Sequence, residues 1–179
     1  MNTERHTYRI KKANTALFTK VVGIDASARE WGIAAVLLGI NGDFISSHLF
    51  RDGTELPEFI KSLENTFVAV EDSRINGVFN EKIRGRMAVM KKTVRNYSSL
   101  RDSIVSDLGM NRYSVSLIEA YTEKYIGKGA FHSITPKMKG KKMTPEYFER
   151  LYGLKTDCQD VIDAYFVAKA FLNYGLYKT

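Results

Sequence analysis

The stretch from Val21 to Arg51 decides the fold: VVGIDAS at 21–27, WGIAAVLLGI at 31–40 and FISSHLFR at 44–51, the last two separated by Asn41-Gly42-Asp43. Each run is short, apolar or alternating, and bounded by turn-forming residues, which is the pattern of strands rather than helices. Asn-Gly is the strongest short hairpin signal because both central positions of that turn need positive φ. Residues 21–51 are therefore predicted to form an antiparallel meander whose second strand is buried on both faces. Downstream, ELPEFIKSLENT (55–66) spaces Leu56, Phe59, Ile60 and Leu63 for a helix, with Pro57 tolerated in its first turn, and FVAVED (67–72) returns as a strand.

From Asn80 to Leu108, Ile83, Met87, Met90, Val94, Tyr97, Ile104 and Leu108 recur at three- and four-residue intervals. That spacing predicts a long helix, with Gly109 as its stop and YSVSLIEAYT (113–122) as a fifth strand. The segment 123–142 has no periodicity and reads as a loop. Thr144-Pro145 opens a short helix that Gly153 closes, and Asp157–Tyr174 forms the last helix, with Val161, Ala164, Tyr165, Ala168 and Leu172 on its apolar stripe. The expected fold class is α/β: a five-stranded mixed sheet, antiparallel through strands 1–3 and parallel at strands 4 and 5, flanked by helices. Residues 1–20 read as a basic arm and 21–179 as one domain, without internal repeat or linker.

Four carboxylates stand where apolar segments stop: Asp25 after VVGI, Glu71 after FVAV, and Asp160 and Asp163 three apart on the last helix. Residues i and i+3 of a helix share a face, so the last two can reach one site. Asp72 would point to the other side of the pleat from Glu71. The bland alternatives are a turn aspartate at 25 and a capping role for Asp157; Asp163 lies too deep in its helix to cap it. Small residues after Asp25 (Ala26-Ser27-Ala28) leave room for a phosphate. Hard oxygen donors without histidine or cysteine select Mg²⁺ or Mn²⁺, and two such ions can together activate water and stabilise a leaving oxygen. No G-x-S-x-G or Walker-type loop occurs, and Cys158 has no evident histidine partner. Cys158 reads as a partly buried bystander, and Trp31 and Tyr165 as core.

The chain carries 27 Lys+Arg against 20 Asp+Glu, a net charge of +7 and a pI near 9.4. Such a balance favours a polyanionic partner. The positive charge is clustered: Arg5, Arg9, Lys11, Lys12 and Lys20; then Lys82, Arg84, Arg86, Lys91, Lys92 and Arg95; then Lys124, Lys128, Lys137, Lys139, Lys141 and Lys142. Within the second and third clusters Lys82, Arg84, Arg86, Lys91, Lys92, Lys124, Lys128, Lys137, Lys139, Lys141 and Lys142 are candidate DNA contacts. One cysteine forms no internal disulfide, three histidines provide no zinc spacing, and no run reaches the ~20 apolar residues of a membrane span. The expectation is a protein of a reducing compartment with no membrane partner and no signal peptide.

GIDAS, a three-stranded meander, VAVED, a long helix and D-x-x-D in DVIDAYFVAKA, in that order, resemble the RuvC family of Holliday junction resolvases, of the RNase H-like superfamily. The resemblance covers residues 21 to about 174. It implies a homodimeric, Mg²⁺-dependent endonuclease of a bacterial or phage-infected cytoplasm that nicks opposed strands of a four-way DNA junction, with Asp25, Glu71, Asp160 and Asp163 as its four metal-binding acids. Ala26-Ser27 stands where bacterial members usually have Pro-Gly, and the 123–142 segment is longer and richer in lysine, as in a divergent or viral member. The family's junction-wedging aromatic follows the second acid closely; Arg74 and Ile75 stand nearest here and Phe79 comes later, so Arg74 and Phe79 join the candidate DNA contacts. Two readings compete: an RNase H-like nuclease for hybrids, forks or flaps, and a basic nucleic-acid-binding protein without catalysis. An actin-like kinase fold, which also begins G-I-D, needs two domains and more chain.

Overall fold

In the computed structural model, residues 18–26, 32–50, 54–72, 97–134 and 142–175 are described. Along the chain they form β1 (Lys20–Asp25), β2 (Ile33–Gly39), β3 (Phe44–Phe50), α1 (Leu56–Ser62), β4 (Thr66–Glu71), α2 (Tyr97–Tyr125), β5 (Phe131–Ile134), α3 (Pro145–Tyr152) and α4 (Gln159–Gly175). The strands make one sheet in the order β3-β2-β1-β4-β5. β1 runs antiparallel to β2, from Lys20 opposite Gly39 to Asp25 opposite Ala34, and β2 antiparallel to β3. β4 is parallel to both β1 and β5. This is the expected α/β layout.

The meander closes at the expected place but by a different turn: it is centred on Ile40 and Asn41, neither with positive φ, and Gly42 follows in the left-handed region. Gly42 has φ 92°, donates its N–H to the Gly39 carbonyl at 2.8 Å, and Gly39 donates to Asp43 at 2.8 Å. Only a residue without Cβ adopts that φ without strain. Because helices cover both faces, the strands need apolar residues at odd and even positions alike. Val21, Ala34, Val36, Leu38, Phe67, Ala69 and Ile134 meet α4 and Phe148 of α3 on one face; Val22, Ile24, Ala35, Val68 and Val70 meet Leu56 and Ile60 of α1 and Val115 and Ile118 of α2 on the other. The start of the sheet is tied in ahead of the expected arm boundary at residue 20. Phe18 packs edge-on against Phe67 with ring centroids 5.4 Å apart, and Thr19 donates to the Asn65 carbonyl.

The expected fifth strand at 113–122 is a helix, and Gly109 does not stop the preceding one: α2 runs through both. Tyr113, Val115 and Leu117 alternate like a strand, but the residues that reach the core are Val115, Ile118 and Thr122, while Tyr113 is 62% exposed. Intervals of three and four are helical, and they override the local alternation. The true fifth strand is Phe131–Ile134, inside the segment expected to be a loop. Gly127 and Gly129, with φ of 128° and 95°, turn the chain out of α2 and into it. The expected helix over 80–96 lies outside the described residues, as does Trp31.

Gly109 is exposed in mid-helix with no atom near a Cβ added there. Gly109→Ala should therefore stabilise the fold by about 0.5–1 kcal/mol, raising the midpoint of a thermal melt by roughly 1–4 °C.

α3 and α4 confirm their signals. Thr144 Oγ1 accepts the Tyr147 N–H at 3.3 Å, and Gly153 ends α3 with φ 68°. α4 begins at Gln159, two residues later than expected, after Thr156 Oγ1 accepts the Cys158 N–H at 3.2 Å. Tyr165 is buried among Phe148, Tyr152 and Phe166, and Cys158 is half-buried, both as expected. Burial and the neighbouring Tyr152 push the Tyr165 hydroxyl up to about 12, so it stays protonated and serves packing rather than proton transfer.

On β5, His132 lies against Phe171 of α4, ring centroids 5.9 Å apart, and burial lowers its pKa from the ordinary 6.5. The unfolded chain then binds the proton more readily than the native one, so stability is complete above about pH 6.5 and falls as the pH drops below it. Thermal melts at pH 7.5 and 5.5 should show a larger loss for the native chain than for His132→Phe, which keeps the ring contact and removes the titration.

Candidate active site

Gly23 sets the geometry of this site. A Cβ there would meet the Ala164 carbonyl oxygen at 2.3 Å and the Ala168 nitrogen at 2.4 Å, so the α4 backbone rests directly on β1. A glycine inside a strand marks such an approach. Further along α4, Phe171 stacks on Phe67 at the start of β4, centroids 4.1 Å apart, and Lys169 reaches the Gly42 carbonyl in the β2–β3 turn at 3.4 Å. α4 thus runs antiparallel to β1 and β4. Its N-terminus lies at their C-terminal ends.

Side chains alternate along a strand, so Asp25 shares the face of Val21 and Gly23, and Glu71 that of Phe67 and Ala69: both lie on the α4 face. The parallel register pairs Ile24 with Val70, so Asp25 and Glu71 leave neighbouring strands side by side, about 4.8 Å apart in backbone spacing. Asp160 belongs to the helix stripe of Ala164 and Ala168. From the Gly23 contact, two strand residues advance Asp25 by about 7 Å, and four to six helix residues carry Asp160 about 6–9 Å the same way. The two acids are level. Asp163 is one turn into α4, and its Oδ1 accepts from Gln159 Nε2 at 3.0 Å.

Water is largely excluded from two of the four: Asp25 is 4% exposed and Asp160 8%, while Glu71 and Asp163 are half-buried. Aspartates are seldom this deeply buried, so both positions are candidates for a functional site. Asp72 takes the opposite face, as expected. Its carboxylate accepts the Ser133 hydroxyl at 3.2 Å and its N–H bonds the Ile134 carbonyl. Behind β1, Asn111 of α2 donates its side-chain N–H to the Ala26 carbonyl at 3.0 Å. It pins the backbone immediately after Asp25.

Asn111, Ser133 and Gln159 carry no motif that marks them in the sequence, whereas a glycine in mid-strand at 23 is itself a signal of close backbone approach. Of the candidate DNA contacts, Lys124, Lys128 and Lys142 are exposed at described positions, Lys124 lying 4.9 Å from the Tyr125 ring centroid. Arg74, Phe79, Lys82, Arg84, Arg86, Lys91, Lys92, Lys137, Lys139 and Lys141 lie outside the described residues, as does most of the basic arm.

The donor chemistry of the four acids, hard oxygen throughout, fits Mg²⁺ or Mn²⁺. Their side-chain spacing is wider than a closed site: among the described residues no three His, Cys, Asp or Glu side chains are grouped so as to hold a metal ion. No helix among the described residues is long and apolar enough to cross a membrane. Compared with protein-family models, with curated proteins and with solved structures, the chain gives no significant match.

Proposed function

We propose that the chain is a metal-dependent, structure-selective endodeoxyribonuclease acting on four-way DNA junctions. The observation that carries this reading is the placement of Asp25 and Glu71 at adjacent parallel strand ends, on the face covered by α4, whose first turn carries the buried Asp160. The net charge of +7 supports a polyanionic substrate. In this reading Asp25, Glu71, Asp160 and Asp163 hold the Mg²⁺ or Mn²⁺. When bound, two such ions supply an activated water and neutralise charge on the scissile phosphate and the leaving 3′ oxygen.

The chain's own residues have supporting parts. Asn111 fixes the strand end that carries Asp25, Gln159 orients Asp163, and the β1–α4 contact at Gly23 fixes how far the two sets of acids stand apart. Exposed Lys124, Lys128 and Lys142 take phosphate contacts and contribute a salt-dependent share of binding. Two copies acting together give the paired nicks.

The reading is tested by incubating the protein with synthetic four-way junction, replication fork, flap, RNA–DNA hybrid and linear duplex, each with Mg²⁺ or Mn²⁺. Paired symmetric nicks in the junction are expected. Preferential cutting of hybrid, fork or flap would move the substrate within the same chemistry. Tight, salt-sensitive binding with every substrate intact would leave a nucleic-acid-binding protein without catalysis.

A further inference from the structure

Helix α3 carries apolar residues on two different sides. Phe148 is buried and meets Tyr165 of α4, ring centroids 5.1 Å apart. Tyr147 and Leu151, one turn apart, share another face, and they reach solvent at 43% and 52% exposure. Arg150 joins them, its guanidinium 4.7 Å from the Tyr147 ring centroid. The acid one turn before it, Glu146, turns back to the Thr144 hydroxyl and its own backbone N–H. This face of α3 is therefore aromatic and cationic, although an acid stands within reach of the arginine. Lys142 precedes the helix and Lys155 follows it, both exposed. With eight residues in α3, about 12 Å of helix separates its two ends. The helix also lies beside the acids: Tyr152 packs on Tyr165, centroids 5.1 Å apart, and Asp160 stands five residues, about 7.5 Å, back along α4.

We propose that the exposed face of α3 binds an unpaired nucleobase of the DNA substrate, stacked on Tyr147 and Arg150, with Lys142 and Lys155 on the flanking phosphates. Every base has a π face, and both an aromatic ring and a guanidinium stack on it without regard to sequence. Arg150, already over the Tyr147 ring, adds positive charge to the same platform, and Leu151 gives the base an apolar border. A base inside a continuous duplex has both faces covered by its neighbours. The platform therefore selects a strand that is unpaired near the cut, which a branch point can supply and a linear duplex does not. This inference rests on the nucleic-acid part of the proposed function and not on hydrolysis.

Fluorescence anisotropy on the full chain in EDTA, where no cleavage enters, tests it with two probes: a short oligothymidylate and an abasic oligomer of the same length and charge. The native chain should bind the oligothymidylate about tenfold more tightly, the scale of one stacked base. Tyr147→Ala should bind the two probes alike and keep the native salt dependence, because only phosphate contacts remain. Tyr147→Phe retains the ring and should retain the preference. Arg150→Ala should reduce it. Lys142→Ala should weaken both probes equally and lower the salt slope by about one. A native chain that binds both probes equally, or a Tyr147→Ala variant that keeps the preference, would overturn the proposal. If such a chain still bound the four-way junction, only the platform would fall; if it bound neither probe nor the junction, the nucleic-acid reading would fall with it.

Discussion

Asp25→Asn should abolish junction cleavage while leaving the protein folded and bound to DNA. Asparagine keeps the shape of the side chain and its place at the end of β1 but removes the negative charge that a hard cation requires. The expected loss in cleavage rate is on the order of 10³-fold or more, the scale seen when one member of a catalytic unit is removed. Asp160→Asn should lose about as much, and the double variant little more than either, because groups that work as one unit are not additive. Single-turnover cleavage and gel-shift affinity, measured side by side, check this. Equal cleavage by native protein and Asp25→Asn would remove the hydrolytic reading; equal loss of binding would make Asp25 a structural residue.

Gly23→Ala should damage both fold and chemistry. The added methyl falls within 2.3–2.8 Å of Ala164 and Ala168, and two of those three contacts are helix backbone, which cannot swing aside as a side chain can. Overpacking of this kind costs about 1–3 kcal/mol, at times more. Any relief comes by lifting α4 from β1, which separates Asp160 and Asp163 from Asp25 and Glu71. A displacement near 1 Å can cost about 10²-fold in rate, so cleavage should fall by about that factor at temperatures where the variant is still folded by circular dichroism. Gly109→Ala, the same chemical change at an exposed site, is the control and should leave cleavage unchanged. A Gly23→Ala variant with native melting and native cleavage would mean that the β1–α4 contact does not set the site.

The strands of the meander were legible because their information is local: apolar runs interrupted by Asn41-Gly42-Asp43, where the turn chemistry is explicit. β4 and the two C-terminal helices were legible for the same reason, with Thr144 and Gly153 acting at the positions their residue types favour. Failure came where local and tertiary signals disagree. Tyr113, Val115 and Leu117 alternate as in a strand, yet only Val115, Ile118 and Thr122 find the core, and long-range packing decides for the helix. β5 was hidden because four residues in a lysine-rich segment carry too little pattern, and its strand character comes from pairing with the end of β4.

At the site, the four acids were readable one by one as charges ending apolar segments. That Asp25, Glu71 and Asp160 come to one end and one face of the sheet was not. That arrangement depends on the parallel β1–β4 register and on α4 running back along the sheet, both of them relations between distant parts of the chain. Asn111 is the extreme case: an ordinary helix residue by sequence, it matters only because α2 brings it to the Ala26 carbonyl.

If Asp25, Glu71, Asp160 and Asp163 bind divalent cations together, a crystal structure of the protein grown with Mn²⁺, with anomalous diffraction to locate the metal, will show it. Manganese peaks held between the ends of β1 and β4 and the N-terminus of α4 are the predicted result; a fully occupied Mn²⁺-soaked lattice with the four carboxylates free of metal would contradict it.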